Sequence, residues 1–425
     1  MAKKVAATTV GCKVNQYDTK ALLQKFLDAG YEVVNFADEA DIYIINTCSV
    51  TNVSDKKSRQ MVRRAKARGA VVAVMGCSSQ ARPEDFAKIG ADIVLGTANR
   101  GKILEYVENF PVIDHNPNVT TMINFEADHV DSRMGKTRAF LKIQDGCDNF
   151  CTYCVVPHVR GPSRSRPFDD VMAQACRFAE MGCKEIVVAG IHVASYGKDL
   201  KGHNLLSVLQ GICEIDCIKR VRLSSVEPNV ITEEFLEFAA AQPKFCDHLH
   251  LSLQSGSDAV LAAMNRKYTA RQYADAVSAL RKVLPNISIT TDIIAGFSGE
   301  SEENHRETLD FIDDLALSAL HVFPFAAKEG TVAAMLPNQH SRQVKSRRAK
   351  ELENLGVKLK ALYYDRFVGQ TLPVLVEGRN VAGFYEGKTT NYLSVCFEGK
   401  EGHENSIVDV RLNTLFDDGA IGVLQ

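Results

Sequence analysis

Residues 147–154, "CDNFCTYC", place three thiols at CxxxCxxC spacing directly after the apolar run "AFLKIQDG". A disulfide takes two thiols, and a closed tetrahedral zinc site takes four ligands. Three thiolates suit a centre that keeps one position open. A 4Fe–4S cube held by Cys147, Cys151 and Cys154 is such a centre, because its fourth iron stays available to an outside ligand. A zinc site short of one ligand, or three incidental thiols, is the competing reading. A second set is dispersed: Cys12, Cys48 and Cys77 close the strand-like runs "AATTVGC", "YIINTC" and "AVMGC". Neighbouring strands of a parallel sheet end side by side, where open α/β sheets take their ligands, so these three can converge. They can also be plain strand-end cysteines, since Cys is among the most buried residue types. For Cys176, Cys183, Cys213, Cys217, Cys246 and Cys396 no His or further Cys closes a site, and they read as packing.

These cysteines need elements to hold them. Residues 1–110 alternate apolar runs with amphipathic stretches, a βαβ signature that predicts an α/β domain on a parallel sheet. One helix is expected over "YDTKALLQKFLDAG", with Leu22, Leu23, Phe26 and Leu27 on one stripe and Gly30 as a stop. Residues 111–136 are polar with weak periodicity and read as a linker. Residues 137–362 hold six strand patterns, "AFLKIQ", "EIVVAG", "RVRLSS", "HLHLSLQ", "ISITTDIIAG" and "ALHVFPF", separated by helical ones. Six such units make a partial (β/α)6 TIM-like barrel, with reactive loops at the strand C-termini. An open doubly wound sheet is the competitor. Residues 363–425 are short β-rich pieces with glycine turns, which suggest a small all-β barrel.

The chain has 425 residues, 45% of them hydrophobic, and a net charge of −2 that is unevenly spread. "SDKKSRQMVRRAKAR" (54–68), "RGPSRSRP" (160–167) and residues 342–360 are basic, leaving the remainder strongly acidic. Segregation of this kind favours a polyanionic partner, although each segment alone is more often a solvated helix face. The N-terminus makes a poor signal peptide, and no run approaches the roughly 18 apolar residues of a membrane span. A cytoplasmic protein without a membrane partner is therefore expected, where disulfides are uncommon.

CxxxCxxC after the first strand of a six-unit barrel resembles the radical S-adenosylmethionine enzymes. "GCKVNQYDT", "NTCSVT" and "GCSSQ", followed in order by "CDNFCTYCVVP", "RGPSRSRP", "LSSVEP", "HLSLQSGSDAVLAAMNRKYT" and "TTDIIAGF", are similar to the methylthiotransferases of that superfamily. The C-terminal piece resembles a TRAM domain. Within the family, "CKVNQYDT", the "CDNFCTYC" loop and "HVFPF" look like the tRNA N6-threonylcarbamoyladenosine type (the MtaB type). "GFSGES" and "CSSQ" depart from the usual "GFPGET" and "CYAQ" without losing a cysteine.

The resemblance implies two 4Fe–4S clusters. That on Cys147, Cys151 and Cys154 would cleave S-adenosylmethionine to a 5′-deoxyadenosyl radical, and that on Cys12, Cys48 and Cys77 would carry sulfur to be methylated. A second molecule of the cofactor would donate the methyl group. Carbon 2 of an adenine beside the anticodon would gain a methylthio group. The rival substrates are N6-isopentenyladenosine in tRNA, whose enzymes open with a "GCQMN"-like motif, and a ribosomal-protein aspartate. A non-catalytic RNA-binding iron–sulfur protein is the competitor from another class. Cofactor contacts are expected from Tyr153, Gly190, Ser225, Glu227 and Gln254, all near strand ends. Asp292 reads as a substrate contact or a structural salt bridge, and His192 and His158, which follow active-face strands, could meet RNA. Arg160, Arg164, Arg166, the basic helices and the C-terminal barrel are expected to meet the phosphates of the tRNA anticodon loop. The other expected partner is a small electron donor such as flavodoxin or ferredoxin, and the chain is expected to be a monomer.

Overall fold

The fold was taken from a computed structural model that describes residues 2–126, 128–131, 137–399, 401–416 and 419–425. The N-terminal alternation gives β1 (Lys4–Thr9), β2 (Glu32–Val34), β3 (Ile42–Thr47), β4 (Val71–Gly76), β5 (Ile93–Leu95) and β6 (Val112–Asp114). They form one all-parallel sheet in the order β2-β1-β3-β4-β5-β6. Every residue of β3 is buried, which is why its sequence is an unbroken apolar run: parallel strands are covered on both faces. Leu22, Leu23 and Phe26 pack one face and Val62 and Ala65 the other. The helix carrying Leu22 runs Lys13–Asp28 and so begins four residues before the expected Tyr17. Cys12 takes its N-cap, which sets that cysteine at the end of the sheet.

β6 lies inside the segment read as a linker and pairs with β5. Of that segment's other described residues, Val130 joins the main core and Glu126 pairs with Arg100 at 2.7 Å.

The central domain holds β7 (Arg138–Asp145), β8 (Arg164–Ser165), β9 (Glu185–Gly190), β10 (Arg220–Leu223), β11 (His248–His250), β12 (Ser288–Ala295) and β13 (Ala319–Pro324). All six expected strands are present. β7, β9 and β10 are parallel neighbours, the bridges Val221–Phe245 and Val226–Leu251 continue the pairing, and β11, β12 and β13 complete it. The short β8 runs antiparallel on the free side of β7. Among the described residues no ladder joins it to β13, so the barrel stays open on one side. Helices Glu233–Ala241, Ala270–Val283 and Glu302–Leu315 cover the outside, each capped by a Ser or Thr side chain that accepts a backbone N–H. A closed barrel fills its interior with apolar layers. Here Glu185, Arg222, His248, His250, Thr290 and Asp292 share the alternate positions that face inward, which suits a lumen kept for a ligand.

The helix Arg342–Asp365 leads to β14 (Thr371–Arg379), β15 (Tyr385–Lys388), β16 (Ser394–Glu398), β17 (Ile407–Phe416) and β18 (Gly419–Leu424). These close into a barrel in the order β14-β15-β16-β18-β17. It covers the N-terminal ends of the central strands. Arg220 donates to the carbonyls of Lys388 and Pro373, both at 2.8 Å, and Arg222 donates to that of Thr390 at 2.8 Å. Tyr392 stacks on His248 with centroids 4.4 Å apart. No helix among the described residues is long and apolar enough to cross a membrane.

Candidate active site

Cys12, Cys48 and Cys77 follow β1, β3 and β4, which are adjacent strands. Asn15 binds the ends together: its Nδ2 donates to Asn46 Oδ1 (2.8 Å) and to the Thr47 carbonyl (3.0 Å), and its Oδ1 accepts from Cys12 Sγ (3.1 Å). Gly76 has φ +107°, and a Cβ there would stand 2.5 Å from Asn46 Oδ1, so glycine alone lets the chain turn into Cys77. Cys48 and Cys77 are buried, while Cys12 opens into a cavity. Burial, helped by Cys77 and Cys12, pushes the Cys48 thiol up to about 11. Water reaches Cys12 through the cavity, yet the protein around it still raises that thiol, against the pull of Arg160.

Cys147, Cys151 and Cys154 lie on the loop after β7. Gly146 opens it at φ +72°, where any side chain would collide with the Pro162 carbonyl. Burial raises Cys147 to about 11 and Cys154 to about 12, with the neighbouring sulfurs adding to both. Arg266 Nη1 donates to Cys151 Sγ at 3.4 Å, and its Nη2 lies 3.0 Å from Glu227 Oε1. Asn149 Nδ2 donates to the same oxygen at 2.9 Å, and His192 Nε2 stands 3.6 Å from Oε2. Against the upward push of burial, His192, Arg266 and Asn149 hold the Glu227 carboxyl below its ordinary range.

A buried ionic network runs from Cys77 to Asp145, two residues before Cys147. Arg160 Nε donates to Cys77 Sγ (3.3 Å), Nη1 to Asp145 Oδ1 (2.9 Å), and Nη2 to Asn15 Oδ1 (3.0 Å) and Asp18 Oδ2 (3.3 Å). Lys142 bridges Asp18 (2.8 Å) and Asp145 (2.6 Å), and Arg100 meets Asp18 at 2.7 Å. Although burial pushes the other way, these cations hold Asp18 below, and Asp145 well below, the usual carboxylate range. Arg160, Arg164 and Arg166 are 1%, 4% and 0% exposed, which corrects the expectation that they meet RNA phosphate. The reason is Asp145, which binds Arg160 and Arg164, and Tyr17, whose hydroxyl accepts from Arg166 at 2.8 Å. On the helix Arg342–Asp365 the same correction holds for Arg348 alone, 2% exposed and paired with Glu302, whereas Arg347 and Lys358 stay exposed.

A cavity of ≈ 470 Å³ occupies the lumen between the three domains. Of the residues expected to hold a cofactor, Gly190 and Ser225 line it. Glu227 sits instead in the network beside Cys151. Tyr153 packs against Val260, Met264, Phe297 and Phe325, with its hydroxyl 3.5 Å from Arg266. Gln254 is buried with φ +72° and pairs through its backbone with Asp292 and Ile294. Asp292 lines the cavity and is one-third exposed, not fully buried, with His250 Nε2 at 3.3 Å. His158 is exposed, edge-on to the exposed Phe150. The six remaining cysteines are all free thiols.

Sequence reasoning missed Asn15, Asp18, Asp145, Asn149 and Arg266. One signal was available: Lys142 stands alone in "AFLKIQ", and a charge inside a buried strand requires a partner.

Each triad suits a 4Fe–4S cube. Within each set the sulfurs act on one another electrostatically, and a buried guanidinium donates to one of them, which would offset the negative charge such a centre carries. Among the described residues no group of three or more His, Cys, Asp or Glu is arranged to hold a metal ion. A cube sends its three thiolates to three different irons, so it spreads them further than one ion does.

Residues 141–312 match the Radical SAM superfamily, and residues 4–96 match a family described as "Uncharacterized protein family UPF0004". The "Threonylcarbamoyladenosine tRNA methylthiotransferase MtaB" of Bacillus subtilis (strain 168) is 40% identical over 420 residues, 96% of this chain and 93% of that one. The protein of the same name from Aquifex aeolicus (strain VF5) is 36% identical, across 93% of this chain and 97% of its own. A "tRNA-2-methylthio-N(6)-dimethylallyladenosine synthase" of Pseudothermotoga lettingae is 33% identical, across 99% of both chains. Among solved structures, the radical S-adenosylmethionine methyltransferase TsrM of Kitasatospora setae superposes with a TM-score of 0.55 at 15% identity, over 76% of this chain and 73% of that one. It shares the fold.

Proposed function

The chain belongs to the radical S-adenosylmethionine methylthiotransferases, and from that membership we propose that it converts N6-threonylcarbamoyladenosine, beside the anticodon of tRNA, to its 2-methylthio derivative. The observation that carries this reading is the shared cavity. Cys12, from one three-cysteine set, lines the same lumen as Gly190 and Ser225 at the strand ends beside the other set.

S-adenosylmethionine and two 4Fe–4S clusters, when bound, supply the radical that removes the adenine C2 hydrogen and the sulfur and methyl group that replace it. Cys147, Cys151 and Cys154 would hold one cluster, and Cys12, Cys48 and Cys77 the other. Glu227, kept anionic and fixed by Asn149 and Arg266, offers an acceptor beside the first. Gly190 ends β9 at the cavity wall, where a Cβ would crowd Val193 and Gln144, so glycine lets that wall pack closely. Tyr153 and Gln254 stand behind this wall as supports for it. The network on Arg160 holds the two sets at a fixed separation, which is the positioning that a radical reaction between them requires. A small ferredoxin- or flavodoxin-like donor would supply electrons, and the chain would act as a monomer.

Nucleoside mass analysis of tRNA from a strain lacking the gene tests the reading. Loss of 2-methylthio-N6-threonylcarbamoyladenosine, restored by the gene and not by its Cys48→Ala form, is expected. Persistence of that nucleoside in a strain with no second copy would refute it.

A further inference from the structure

Among the described residues, two ammonium groups of the lumen wall, Lys13 and Lys388, have no carboxylate in ion-pair contact. Lys13, Lys360 and Lys388 line the cavity, and Asp292 is the one carboxylate among its lining residues. Asp292 is engaged by His250 Nε2 at 3.3 Å. The arginines in the wall are also matched: Arg222 meets Glu185 at 2.8 Å, and Arg138 pairs with Glu377. Lys13 and Lys388 differ from them. Lys388 Nζ donates to Ser394 Oγ and lies 5.1 Å from the Tyr392 ring, and among the described residues it has no carboxylate partner. Lys13 faces the same tyrosine, with Arg222, Arg138 and Glu185 nearby, and makes no ion pair among the described residues. The nearest carboxylates, Glu185 for Lys13 and Glu377 for Lys388, are taken by Arg222 and Arg138, so two ammonium groups in a partly desolvated lumen lack a carboxylate of their own, which is unfavourable. An anion that enters with the ligand completes such a site.

The position of Lys13 narrows which anion this is. It directly follows Cys12 and is the first residue of the helix Lys13–Asp28, so its backbone is tied to the sulfur-bearing set and to the positive end of a helix. A group bound there is placed relative to that set. The substrate proposed above carries one free carboxylate, on the threonyl substituent of N6, and a volume of ≈ 470 Å³ accommodates a nucleoside of that size. Resting on that function, we infer that Lys13, with Lys388 across Tyr392, holds the threonyl carboxylate and thereby selects an acid-bearing N6 substituent over an apolar one. Charge-assisted contacts from two ammonium groups reward the acid, and an apolar substituent leaves both unpaired.

The test uses the anaerobically loaded full chain and four anticodon stem-loops of one sequence. Their target adenosine carries threonylcarbamoyl, its methyl ester, isopentenyl, or no N6 group. Wild-type kcat/KM should fall about 10- to 100-fold from acid to ester. Lys13→Met should collapse that preference toward one, and Lys388→Met should reduce it. A wild-type enzyme that treats acid and ester alike overturns the inference while leaving the function intact. So does a Lys13→Met protein that binds all four loops more weakly by one factor, because the lysine then meets an RNA phosphate. Turnover of the isopentenyl loop with none of the acid removes the function itself, and the inference with it. If Lys13→Met fails to fold by circular dichroism, the wild-type comparison and Lys388→Met still decide.

Discussion

Each cysteine set has one buried guanidinium on one of its sulfurs, Arg160 on Cys77 and Arg266 on Cys151. Arg160 also pairs with Asp145 and Asp18, which Lys142, Arg100 and Arg164 would still contact after its loss. Arg160→Met should cost about 1–3 kcal/mol in urea unfolding of the apo-protein. It should also lower iron retention at the Cys12 set more than at the Cys147 set; equal loss at both would contradict the arrangement. The buried thiols set a pH dependence whose sign can be worked out. Cys48 and Cys147 stand near 11, against an unfolded value of 9.0, because burial disfavours the thiolate. Above 9.0 the unfolded chain loses these protons first, so apo-protein stability falls from there toward about 11. Loading runs the other way: ligation must displace those protons, so iron uptake should rise between about pH 7 and about pH 9. Iron and sulfide assays after reconstitution across that range check it.

At the scale of elements, the turns that end strands decide where the cysteines stand. Gly76 and Gly146 are both left-handed and both crowded by backbone or side-chain oxygen. Gly76→Ala should leave about four irons per chain by disabling the Cys12 set, and Gly146→Ala should do the same by disabling the other. The two are told apart by reductive cleavage of S-adenosylmethionine, which only Gly76→Ala should keep. Much of this level was legible in the sequence. Strands covered on both faces leave unbroken runs such as "DIYIINT", and each dispersed cysteine closes one of them. What could not be read was pairing across domains. Arg160 and Asp18 are 142 residues apart, and "RGPSRSRP" has the composition of an RNA-binding loop until Asp145 and Tyr17 are seen to claim its arginines. The early start of the helix at Lys13 was hidden likewise, because Cys12 is a weak N-cap by type and holds that position through its tie to Asn15.

At the scale of the whole molecule, burial of those arginines moves the expected RNA interface elsewhere. Lys56, Lys57, Arg63 and Arg64 remain exposed on the helix Asn52–Lys66, which begins just after Cys48. Changing all four to Glu should weaken tRNA binding at low salt and lower the salt-dependence slope by about 1 for each phosphate no longer neutralised. The three domains meet at one lumen, and the account stands or falls on the reaction carried out there. The most direct measurement supplies the loaded chain with S-adenosylmethionine, a reductant and an N6-threonylcarbamoyladenosine stem-loop, then analyses nucleosides by mass. Wild-type protein should give a nucleoside heavier by one methylthio group, Cys48→Ala 5′-deoxyadenosine without product, and Cys151→Ala neither. Methylthio product from Cys48→Ala, or none from the fully loaded wild type, would contradict it.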